Sequence, residues 1–274
     1  MKKIFIVLSL CFLTYITSLR TFAHELIPKA LKEYVEANPN ATALQIEKFV
    51  QNQTPEFAKK YQSGEEILKV IKNKNTNLLD NTLDFLRIGI QHILSGLDHI
   101  LFVLAILLVF VSLRFTLKLT ATFTLAHSIT IILAGLGLLT LSSRIVEPFI
   151  ALSIAYVAII TVFFKKNTFI GGTKSKIGAI FFFGLFHGLG FAGLLQELSI
   201  PKDKFISSII GFNLGIEIGQ LIIVALALPC IYLFRNKSWY REAIQVVAIL
   251  ISLLAFFWFI ERTIGLSWIP FLNN

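Results

Sequence analysis

The sequence predicts an all-α polytopic membrane protein: six transmembrane helices after a cleaved signal peptide, plus a small helical exterior segment at the N-terminal side. Three observations carry that prediction. Apolar residues make up 55% of the 274 positions and charged residues only 15%, where an ordinary soluble domain carries roughly 25% charge. The mean hydropathy is +0.76. Beyond residue 84, apolar stretches about as long as a bilayer core is thick, roughly 20 residues, alternate with short polar connections. A soluble enzyme with one water-facing surface is excluded on these grounds.

The first element is residues 1–23. Lys2 and Lys3 precede the apolar run from Ile4 to Leu13, and Thr21-Phe22-Ala23 supplies a small residue at a cleavage point. A positive start, a short apolar core and a small residue define a secretory signal. The apolar core is short for a span and Arg20 follows it closely, so cleavage after Ala23 is predicted, leaving His24 at the new N-terminus. Residues 24–83 form the hydrophilic block. Glu and Lys are interleaved with Leu31, Tyr34, Val35, Leu44, Ile46, Phe49, Ile67 and Leu68 without strand-like alternation, which predicts short amphipathic helices. About 60 residues bury only a thin core, and no catalytic motif is present there.

The six spans are read at 84–112, 116–141, 147–164, 177–198, 205–234 and 241–261, within a domain of residues 84–262, followed by an exterior tail at 263–274. Cleavage of the signal puts residues 24–83 and both mature termini outside a cytoplasmic membrane. The connections then facing inward hold Arg114, Lys118, Lys165, Lys166, Lys174, Lys176, Arg235, Lys237 and Arg241, against Arg87, Arg144, Lys202, Lys204 and Arg262 outside. That bias has the direction required by the positive-inside rule. The formal +9 is therefore mostly topological, and loss of Lys2, Lys3 and Arg20 lowers it to +6. The expected large-scale partner is a lipid bilayer, not nucleic acid.

Ionisable groups inside a span are expensive and normally face a protein interior, a pathway or an ion. The first span carries His92, Asp98 and His99. The two histidines, seven apart, share a helix face, whereas Asp98 points about 120° away from His92. Either Ser95-Gly96 bends the helix so that all three converge, or Asp98 meets a neighbouring span. The second span places His127 beside Ser128, and the fourth places His187 among Gly184, Gly188 and further glycines. In the fifth, Asn213, Glu217 and Gln220 fall on one face, opposite Gly211, Gly215 and Gly219, a pattern for close helix packing. His99, His127, His187 and Glu217 all lie about 17 to 22 Å from the outer ends of their predicted spans, with His92 about 12 Å in. Four helices thus bring ligand-type groups to a similar level.

Imidazole with carboxylate and amide oxygens suits a divalent transition metal, and Cys230 alone offers no thiolate site for cuprous copper. The candidate metal residues are His92, Asp98, His99, His127, His187 and Glu217, supported by His24, Ser128, Asn213 and Gln220. Two other classes remain open. Three His and a carboxylate could hold a catalytic zinc, with Glu217 or Asp98 as general base, in an intramembrane hydrolase. The usual helical H-E-x-x-H signature is absent. Alternatively, the polar groups only specify helix pairing in a structural or assembly subunit.

These residues resemble the HupE/UreJ family of hydrogenase and urease accessory membrane proteins. The H-x5-D-H pattern of His92, Asp98 and His99 is similar to that family's motif. The segments Phe123 to Thr130, Val146 to Ile154, Phe186 to Ala192 and Phe212 to Gln220 look like its second, longer-chain branch, as does the Ala23-His24-Glu25 junction. The resemblance covers most of residues 84–262. It implies a nickel or cobalt permease, or a metal-handling accessory protein working with nickel- or cobalt-enzyme maturation proteins, rather than an enzyme. It also draws in Glu147, which otherwise reads as a helix-start residue before Pro148.

Overall fold

The computed structural model describes residues 29–54, 63–67, 78–109, 112–163, 172–191, 200 and 204–265. The predicted signal peptide and His24 lie outside the described residues. Those described are helical, with no strand among them.

In the hydrophilic block, helices α1 (Lys29–Ala37) and α2 (Ala43–Gln53) enclose Leu31, Ile46, Val50 and Ile67. Tyr34 stacks on Phe49 at 4.1 Å. Thr42 starts α2 with a capping box, its side chain accepting from the Gln45 amide while the Gln45 side chain reaches back to the Thr42 N–H. That satisfies two helix-end donors reciprocally.

The apolar part holds α3 (Leu78–Ser95), α4 (Leu97–Val109), α5 (Leu113–Gly135), α6 (Ser143–Phe163), α7 (Thr173–Gly190), α8 (Phe205–Phe234) and α9 (Tyr240–Ile264). Four of these, α5, α6, α8 and α9, are long and apolar enough to cross a membrane, and the bent pair α3 and α4 makes a fifth if taken as one span. The predicted fourth span, α7, does not reach that threshold: its 18 described residues include Lys174, Lys176, His187 and four glycines, and residues 192–199 lie outside the description. The predicted second span ran to 141, but α5 stops at Gly135. Gly137 there adopts φ +73°, a left-handed conformation that turns the chain out of the helix.

The predicted first span is broken. Helices α3 and α4 meet at 69° across Gly96. A Cβ on Gly96 would lie 2.8 Å from the His92 carbonyl oxygen and 2.8 Å from His99 Nδ1, so the break requires glycine.

Packing follows the small residues. Gly211, Gly215 and Gly219 of α8 dock on the α3 backbone at Thr82, Leu86 and Ile90, with Gly89 returning the contact. The order rises along both helices, so α3 and α8 run parallel. Gly184 and Gly188 of α7 dock in the same way on Phe123, Ala126 and His127 of α5, again in parallel. In contrast, α5 meets α8 antiparallel, Thr124 hydrogen-bonding Gln220 at 3.0 Å and Ser128 hydrogen-bonding Asn213 at 2.7 Å. Lipid supplies little hydrophobic drive between helices, so backbone proximity and such polar contacts hold them. Two apolar clusters result. One is built chiefly from α4, α5, α6 and α9, the other from α3, α4 and α8. Leu125, Ile129, Leu214, Leu221, Leu250 and Leu253 remain exposed on the outer faces, as a lipid-facing surface requires.

Candidate metal centre

On an unbroken helix, seven residues rise about 10.5 Å, which would keep His92 and His99 from reaching one ion. The bend at Gly96 removes that separation, and their rings approach to 4.5 Å between centroids. His127 of α5 joins them, 5.9 Å from His92 and 6.0 Å from His99. One ligand nitrogen from each of the three lies within 4.8 Å of the others. That spacing suits three nitrogens about one ion at Zn–N-like distances of about 2.0–2.1 Å after small adjustments. His187 of α7 stands at the edge, its ring 5.3 Å from that of His99.

The surroundings are apolar. Phe102 and Phe123 pack on His187, each with its ring centroid 5.0 Å away. On the other side Phe191 and Phe212 stack on each other at 4.2 Å and flank His92 at 4.7 and 5.6 Å. The histidines thus sit where the two apolar clusters meet. His99 is 8% exposed, His127 0% and His187 1%.

Hydrogen bonding distinguishes this cluster from helix-pairing polar groups. Six buried ring nitrogens have no hydrogen-bond partner among the described residues: Nε2 of His92, both nitrogens of His99 and of His127, and Nδ1 of His187. Leaving a buried polar atom unsatisfied costs about 1–3 kcal/mol. Groups that serve only to join helices would be paired, as Thr124 with Gln220 and Ser128 with Asn213 are. A set of converging lone pairs is what a transition-metal cation uses. His187 has a fixed contact, its Nε2 lying 3.0 Å from Ser153 Oγ on α6.

The other sequence-derived candidates are placed elsewhere. Asp98 pairs with Arg262 of α9 at 3.0 Å. Glu217 is exposed on α8, beside exposed Leu214 and Ile218, and is not brought to the histidines. Asn213 and Gln220 turn to α5 as described. Glu147 is exposed as well, its backbone carbonyl accepting from Arg262 at 3.3 Å. Ser153, Arg262 and Glu261 stand outside the predicted site set. Ser153 is a lone serine in an apolar span; its spacing gives no sign of His187. Arg262 reads in the sequence as a topological charge, and in the structure it pairs with Asp98. Glu261, beside it, is 3% exposed.

The fold and this site define a polytopic helical membrane protein with a histidine cluster inside its bundle. A family model described as HupE / UreJ protein matches residues 69–262, and the chain belongs to the HupE/UreJ family. No curated protein and no solved structure matches it.

Proposed function

We propose that the protein carries a divalent transition-metal cation, nickel or cobalt, across the cytoplasmic membrane, with the ion as substrate at His92, His99 and His127. The observation that carries this reading is the convergence of three imidazoles, five of whose six ring nitrogens are buried without a hydrogen-bond partner among the described residues. Family membership supports a role in nickel or cobalt handling. Borderline imidazole donors without thiolate suit these ions.

In this reading the chain crosses the membrane six times after a cleaved signal, with α7 as the fourth crossing. Parallel packing of α3 with α8 and of α5 with α7 supports it, because spans two or four apart in an alternating chain must run the same way. The N-terminal block and both mature termini lie outside. A cation captured near His24 enters past His92, binds among the three histidines with His187 as the neighbouring donor, and leaves toward the basic inner face. Protons compete with metal for imidazole, which offers a means of coupling. Nickel- or cobalt-enzyme maturation proteins would receive the ion inside.

A hydrolase would need a general base next to the metal. Both carboxylates considered for that task stand apart, Asp98 on Arg262 and Glu217 on the outer face of α8. The transport reading needs no such base. Uptake of labelled nickel and cobalt by cells expressing the chain tests it. Accumulation should exceed that of empty cells and vanish when His92, His99 and His127 are replaced together by Ala; uptake unaffected by that replacement would sink the proposal.

A further inference from the structure

The motif aspartate is directed away from the histidines that flank it in sequence. Asp98 stands in the first turn of α4. Arg262 Nη2 of α9 donates to its carboxylate, 3.0 Å from Oδ2 and 3.3 Å from Oδ1. Nη1 of the same guanidinium donates to the Glu147 carbonyl of α6 at 3.3 Å. Its Cζ lies 5.3 Å from the Trp258 ring centroid. The two side chains are only 11% and 23% exposed, Arg262 and Asp98 in that order. Arg262 therefore ties the start of α4 to both α6 and α9, at the end of the bundle where α6 begins and α9 finishes.

The start of α4 needs such a tie. It continues from α3 only through Gly96, whose lack of a side chain permits the 69° break without fixing its angle. His99 follows Asp98 directly, so whatever holds Asp98 decides where the His99 ring falls. A carboxylate in a first helical turn is also favoured by the unpaired amides there. An ion pair withdrawn from water is screened far less than a surface pair.

We propose that Arg262 is a positioning residue for the metal site: by anchoring Asp98 it fixes the start of α4 and sets His99 against His92, so Asp98 acts as an anchor and not as a ligand. The proposal rests on the metal reading given above.

The test uses the purified full chain in detergent, titrated with Co²⁺, and reads both Kd and the visible spectrum at saturation. Arg262→Gln and Asp98→Asn should each weaken binding by about ten- to a hundredfold, the range for supporting residues of metal sites. At saturation each should show the wild-type cobalt spectrum, because the ligands are unchanged. The exchange Asp98→Arg with Arg262→Asp should recover most of the lost affinity. If that exchanged chain does not elute as folded protein, Arg262→Lys decides: affinity above that of Arg262→Gln supports the anchor, and equal affinity overturns it. An altered saturated spectrum in Asp98→Asn, with Arg262→Gln binding as wild type does, makes Asp98 a ligand and overturns the proposal. A folded exchanged chain that recovers nothing overturns it too. Absence of Co²⁺ binding by the unaltered chain overturns the metal reading and the anchor with it, a result distinct from any variant-specific failure.

Discussion

Ser153 Oγ lies 2.6 Å from the Ile150 carbonyl oxygen and 3.0 Å from His187 Nε2. A carbonyl cannot donate, so the single hydroxyl proton of Ser153 belongs to the shorter contact. His187 must then donate through Nε2–H and keep its lone pair on Nδ1, the nitrogen without a partner. A serine on α6 thereby selects the tautomer of a histidine on α7, in the manner of groups that orient metal ligands from behind. Replacement of Ser153 by Ala should leave the protein folded and weaken nickel binding by about tenfold. In nitrogen-15 spectra, His187 should lose its single Nε2–H form. Unchanged affinity and an unchanged tautomer would remove Ser153 from the account.

Gly96 is expected to be far more sensitive than glycines in open surroundings. A methyl group there would meet the His99 ring and the His92 carbonyl at 2.8 Å, and overpacking of this kind costs about 1–3 kcal/mol. Gly96→Ala should lower metal affinity by at least about tenfold. Gly178→Ala, with nothing within 4 Å of the added carbon, should leave affinity intact and stabilise α7 by about 0.5–1 kcal/mol. Titration and thermal melting of the two variants together check this, and equal behaviour would contradict it.

Gly188 and Gly215 allow backbone-to-backbone approach of α7 to α5 and of α8 to α3. Leu at either position should separate the helices and lower the melting temperature sharply, or prevent recovery of a monodisperse protein. Leu at Gly172, where the surroundings are open, should do neither.

Acidification should release the metal. Only neutral imidazole ligates, so proton binding competes directly with the ion. Occupancy measured over a descending pH series should fall, and occupancy that does not change with pH would contradict this. Glu217→Gln should leave the affinity and its pH dependence as they are, because Glu217 faces outward from α8.

The sequence revealed the fold through local properties. Apolar length located four helices long enough to cross a membrane, and a fifth if the bent pair is one span, while the glycine spacing at Gly211, Gly215 and Gly219 identified the docking face of α8, although not that its partner is α3. The histidines were legible because an imidazole in an apolar span has few structural excuses. The structure does not bring the two carboxylates to the histidines, for a physical reason: helix depth gives a height but not an azimuth. Glu217 is exposed on α8 and is not grouped with the histidines. Asp98 fitted two outcomes, and both parts occur, since Ser95-Gly96 does bend the chain while Asp98 meets a neighbouring helix. Arg262 and Ser153 act through contacts between distant segments, for which one sequence offers no signal.

The proposed transport depends on one transition-metal ion held by His92, His99 and His127 inside the bundle. Its most direct test is X-ray absorption at the nickel edge on purified protein loaded with Ni²⁺, with the bound metal counted per chain. The expected result is one ion per chain, nitrogen neighbours with an imidazole signature, and loss of the ion when the three histidines are replaced by Ala. Failure to retain nickel, or nickel that persists with the same spectrum in the triple variant, would contradict it.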